Sequence, residues 1–86
     1  MKDLERILKA FANKRRLTIL QYLKKNGEAS VADIAEEIRL SFKATSKHLS
    51  VLAGVDIVDK EQRSVQMFYK ILSQQKPPAK RIIDLL

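Results

Sequence analysis

From Leu40 to Val55 the chain holds Ser41, Lys43, Thr45, Ser46, Lys47, His48 and Ser50 and no acidic side chain. Side chains of these types can do two kinds of chemistry. Ammonium and hydroxyl groups can bind phosphate oxygens and base edges. A histidine can bind a metal or move a proton. The second kind needs company that the chain lacks. His48 is the sole histidine, there is no cysteine, and a zinc site would need carboxylate partners. There is also no glycine-rich phosphate loop, since Gly27 and Gly54 are the only glycines. The expectation is therefore no metal, no cofactor and no catalysis.

Helical geometry sorts this stretch. With Ser41 as an N-cap and a turn of about 100° per residue, His48, Leu52, Thr45 and Leu49 fall on one arc, with Ala44 and Val51 beside it. The opposite arc collects Lys43, Ser46, Lys47 and Ser50, with Phe42 and Ala53 at its edge. Lysine can donate to guanine O6 and N7, serine to bases or phosphates, and an aromatic edge can touch a thymine methyl. An ordinary solvated helix face is the competing reading, but such faces usually carry both signs of charge. His48, on the mostly apolar arc, is read first as a hydrogen-bonded packing residue and second as a phosphate contact.

Two more basic features stand out. The polar "EQRS" carries Arg63, which can reach a phosphate or a narrow minor groove if it tips a hairpin; a plain surface turn is the alternative. The cluster "NKRR" opens a helix at Asn13, where the dipole disfavours cations. A phosphate on Arg16 would explain the cluster, and so would internal pairing with Glu36 or Glu37.

The totals agree with a polyanion partner. The chain of 86 residues has a net charge of +7, unevenly spread. Length suits one domain over residues 1–86 whose core is modest and which gains by association with a second copy. No apolar run is long enough to span a membrane, and the absence of cysteine fits a reducing compartment, so a cytoplasmic protein is expected.

The elements that must position these residues follow from periodicity. Leu4, Ile7, Leu8 and Phe11 form a helical stripe. Asn13 caps a second helix that Gly27 stops, and Glu28 to Ser30 form a short extended piece. Ser30 caps a third helix with Ile34, Ala35 and Ile38 inward. "RLS" is a tight joint to the fourth helix, 42–53. "IVDK" and "VQMFYKI" read as a hairpin over 57–71, with Val65, Met67, Tyr69 and Ile71 on one face. Pro78 starts a last helix with Ile82, Ile83, Leu85 and Leu86 apolar. The fold class expected is mainly α with a small hairpin, in the order α-α-β-α-α-β-β-α: a winged helix-turn-helix, with the helix-turn-helix at 31–53.

The strings "LKAFANKRRLTILQYL" (8–23), "SVADIAEEIRLSFKATSKHLSVL" (30–52) and "IVDKEQRSVQMFYKI" (57–71) resemble the ArsR-type (arsenic-repressor-like) winged-helix transcriptional regulators. The resemblance covers about residues 4–72. It implies a homodimeric repressor bound to double-stranded DNA, with the fourth helix in the major groove and the hairpin as wing. Its DNA-facing residues would be Ser41, Phe42, Lys43, Ser46, Lys47 and Ser50, joined by Arg63 and Arg16. The helices at 1–12 and 78–86 would form the dimer interface through Leu4, Ile7, Leu8, Phe11, Ile82, Ile83, Leu85 and Leu86. The chain departs from the family at "SVADIA", where metal sensors carry a cysteine pair, and in the last helix, which offers only Asp84. Asp56 and Ser64 stand where the family usually has glycine. A winged-helix protein–protein interaction module is the alternative reading.

Overall fold

The computed structural model describes residues 2–86. Its elements are α1 (Lys2–Phe11), α2 (Lys14–Asn26), β1 (Glu28–Ser30), α3 (Val31–Ile38), α4 (Phe42–Gly54), β2 (Val58–Arg63), β3 (Gln66–Ile71) and α5 (Pro77–Leu85). This is the expected order.

Side-chain caps set the helix starts. The side chains of Asn13, Ser30 and Ser41 accept hydrogen bonds from the backbone N–H groups of Arg16, Asp33 and Ala44. Such a cap contributes about 1 kcal/mol each. Gly27, at φ 87°, donates its N–H to the Leu23 carbonyl and stops α2. α5 starts one residue earlier than expected, at Pro77, with no side-chain cap.

The core gathers around α2. Ile19, Leu20 and Leu23 of α2 pack with Ile34 of α3, Leu49 and Leu52 of α4, and Ile57, all fully buried. Trimming Leu49 or Leu52 to alanine would cost about 2–5 kcal/mol. That packing is what holds one side of α4 and leaves the other in solvent.

The sheet is antiparallel in the order β1-β3-β2. Ala29 and Lys60 flank Tyr69 from either side, and Arg63 pairs with Gln66. The turn is therefore Ser64–Val65, not "EQRS". Backbone pairing extends β2 through Glu61, Gln62 and Arg63 despite their polar side chains, because the ladder needs only N–H and C=O groups. Val65 sits in the turn and is exposed, so it drops out of the buried face.

At Asp56 and Ser64, where the family resemblance implies glycine, the backbone is the one glycine favours. Asp56 has φ 60° and Ser64 has φ 57°. The turn out of α4 stays at Asp56, and Gly54 remains the last residue of the helix. Arg39, at φ 56°, closes α3 in the left-handed region and donates its N–H to the carbonyls of Ala35 and Glu36. That single residue makes the tight joint between the two helices of the pair.

Candidate nucleic-acid interface

α4 turns Thr45, Leu49 and Leu52 into the core at spacings of four and three. The residues left outward, Phe42, Lys43, Ser46, Lys47, Ser50 and Val51, line one open groove along the helix. No acidic residue is among them. Val51 belongs to this face and not to the inner one: it is 43% exposed, and Phe42 is 61% exposed. Its helical angle already places it beside Lys47. Grouping it with the apolar arc credited its chemistry over its position. The N-terminus of α4 adds the positive end of a helix dipole to the lysines.

The two arginines of "NKRR" have internal partners, and these are not Glu36 or Glu37. Arg15 Nη1 donates to the Ile38 carbonyl at the end of α3 (2.9 Å). Arg16 Nε donates to the Ala10 carbonyl (2.6 Å) and Nη2 to that of Lys9 (3.1 Å), both at the end of α1. Lys24 Nζ likewise reaches the Ile83 and Asp84 carbonyls at the end of α5. Three cations of α2 thus meet the negative ends of three other helices, where the last carbonyls lack intrahelical partners. Sequence patterns show a cation's own helix end but not another helix's carbonyls. Arg16, expected on DNA, is occupied inside the fold.

His48 is half-buried, and its Nδ1 lies 3.2 Å from Arg16 Nη1. The arginine can only donate, so Nδ1 accepts and the neutral ring carries its proton on Nε2. Burial, then the charges of Arg16 and Arg15, push its pKa below the usual histidine value. The expected hydrogen-bonded packing role fits this geometry.

Arg63 is also engaged. Its guanidinium lies 4.7 Å from the centre of the Phe68 ring and pairs with both oxygens of Glu28, at 2.7 and 3.0 Å, and with Glu61 at 3.1 Å. By register Glu28, Phe68, Glu61 and Arg63 share the outer face of the sheet. The arginine spans β3 to reach β1 and does not extend free from the tip. The wing therefore presents less free positive charge than the sequence suggests. No local sequence signal points to Glu28, because its partner lies 35 positions away.

The apolar end helices divide. Phe11 and Ile83 are buried within the chain's own core, so they are not surface available to a second copy. Leu8 is 47% and Leu85 85% exposed. Leu4, Ile7, Ile82 and Leu86 are half-buried. Among the described residues no cluster of three or more histidine or carboxylate side chains could hold a metal. No described helix is long and apolar enough to cross a membrane.

A tightly joined α3–α4 pair, an acid-free outer face on the second helix and an antiparallel hairpin behind it define a winged helix-turn-helix DNA-binding transcriptional regulator. Residues 13–60 match the model of the bacterial regulatory proteins of the arsR family. The chain belongs to that family. It is 38% identical to the transcriptional activator HlyU of Vibrio cholerae over 93% of this chain and 70% of that protein. It is 25% identical to the arsenical resistance operon repressor of Bacillus subtilis over 87% of this chain and 71% of that one. Among solved structures, the homodimeric winged helix-turn-helix DNA-binding domain of a possible ArsR-family regulator from Mycobacterium bovis superposes with a TM-score of 0.82 at 28% identity. That superposition covers 98% of this chain and 74% of the other. Reduced HlyU from V. cholerae gives 0.81 at 34% identity, covering 99% and 85%.

Proposed function

We propose that two copies of this chain bind a two-fold symmetric duplex site, each with α4 in the major groove and β2–β3 as wing, and that the bound dimer represses transcription. The outer face of α4 carries the reading. Lys43 and Lys47 are the donors to guanine or phosphate, Ser46 and Ser50 bond bases or phosphates, and Ser41 and Phe42 lie at the helix entry. Arg63 reaches DNA only by exchanging Glu28 for a phosphate. Leu8 and Leu85, with Leu4, Ile7, Ile82 and Leu86, provide the contact between copies. Relatives named as repressors support the sign of regulation, while HlyU is named as an activator.

Selection of bound duplexes from random DNA by the purified protein tests this. The expected outcome is an enriched inverted repeat whose binding weakens steeply with salt. Failure to bind any duplex at low salt would overturn the DNA reading. A single asymmetric half-site would overturn the dimer.

A further inference from the structure

Arg16 touches two helices with different tasks. Its Nε and Nη2 hold the Ala10 and Lys9 carbonyls, the last turn of α1, and its Nη1 holds His48 Nδ1 on α4. Its own backbone N–H is fixed by the Asn13 cap. Asn13 connects α1 to α2, so the arginine closes a short circuit through α1, α2 and α4. On the reading above, α1 belongs to the contact between copies and α4 to the groove.

We infer that Arg16 is a positioning residue that sets the angle of the DNA-reading helix against the dimerisation helix, and so selects the separation of the two half-sites. The inference rests on the dimeric reading of the previous subsection. The physical reason is geometric. Two recognition helices of a dimer must enter successive major grooves about 34–36 Å apart. A small rotation of α4 against α1 in each copy shifts both entry points at once. Guanidinium can hold this angle because its donors are planar and fixed relative to one another, with two aimed at α1 and one at α4. Lysine offers one compact charge on a flexible stem and cannot hold both helices in a fixed relation.

A phosphate ligand at Arg16 predicts something different. Losing a phosphate contact weakens all duplexes about equally and reduces the magnitude of the salt slope by about one. Losing a positioning contact leaves the phosphate count alone and blurs the preference for one separation.

The test uses the full chain and the duplex obtained by selection, together with versions whose half-sites are moved apart or together by one and two base pairs. Arg16→Gln and Arg16→Lys should both bind the best-spaced duplex about tenfold more weakly. Their penalty for altered spacing should shrink, while the salt slope and the low-salt affinity for random duplex stay as in the wild type. His48→Ala should move the spacing profile in the same direction by a smaller amount. Its half-buried position carries the test through the other end of the contact if an Arg16 variant fails to fold. A salt slope reduced by about one with an unchanged spacing profile would overturn the inference, as would full recovery by Arg16→Lys. If the wild type binds no duplex, or binds one half-site alone, the proposed function fails instead.

Discussion

Arg63 on the last position of β2 grips Glu28 on β1 through two parallel hydrogen bonds of 2.7 and 3.0 Å, across the Phe68 ring between them. This fork holds the carboxyl of Glu28 below its usual range. It also makes an internal carboxylate the competitor of any phosphate for the wing's arginine. Glu28→Gln removes the charge and keeps the shape. DNA affinity should rise about threefold at low salt, since an exposed pair is weak and screened. Arg63→Ala should weaken binding about evenly across sequences, and should abolish the gain in the double variant. Titration of duplex against the four proteins checks both.

Lys47 lies midway along the outer face of α4, in the groove shared with Lys43, Ser46 and Ser50. Lys47→Ala should relax sequence preference, with discrimination at one base pair falling by about 1–3 kcal/mol. A repeated duplex selection with the variant would show which position loses its preference. A uniform loss over all sequences would instead make Lys47 a phosphate contact.

Asp56 and Ser64, two of the three left-handed non-glycine residues, leave stability unclaimed. A side chain in this region costs about 1–2 kcal/mol, and glycine gives back part of that gain through its freer unfolded chain. Asp56→Gly and Ser64→Gly should each stabilise by about 0.5–1 kcal/mol, and Asp56→Val should destabilise by about 1–2 kcal/mol. Urea midpoints at an unchanged slope measure all three.

Leu8 and Leu85 are the exposed leucines of the two end helices assigned above to the contact between copies. Leu8→Glu with Leu85→Glu should leave the fold intact, because neither side chain is in the core. It should convert a dimer to monomers in sedimentation. Operator affinity should fall with it, since each copy would then bind one half-site.

His48 gives the fold a mild acid sensitivity. Its pKa is lowered in the folded chain, first by burial and then by Arg16 and Arg15. The unfolded chain therefore takes the proton first as pH falls. The stability contribution is complete above about 6.5, the ordinary histidine value, and is lost as pH falls below it. Comparing melting temperatures of the wild type and His48→Gln at about pH 7.5 and about pH 5.5 isolates this. The wild type should lose more on acidification than the variant.

Much of the molecule was legible in the chain. Element order, three N-caps and the stop at Gly27 follow from local chemistry, because a cap is satisfied within three or four residues of its own position. The acid-free outer face of α4 follows as well, since helical angle depends only on spacing. The family resemblance marked Asp56 and Ser64 as standing at usual glycine positions, and only the structure shows that both are left-handed.

Whatever depended on a distant partner was not legible. The sequence alone could not say that Arg16 faces the end of α1 and His48, that Arg63 is held by Glu28, or that Phe11 and Ile83 are core rather than contact surface. A cation's partner can be any carbonyl or carboxylate the fold delivers, and an apolar stripe does not announce which of its members its own chain will cover. Val51 shows the same limit at close range: spacing set its direction, but only the packing of Thr45, Leu49 and Leu52 decided where the buried side of α4 ends. Types and spacing determined what the chain can touch. Tertiary contacts decided which of those groups are still free to do so, because each charge is satisfied by the nearest partner in space rather than in sequence.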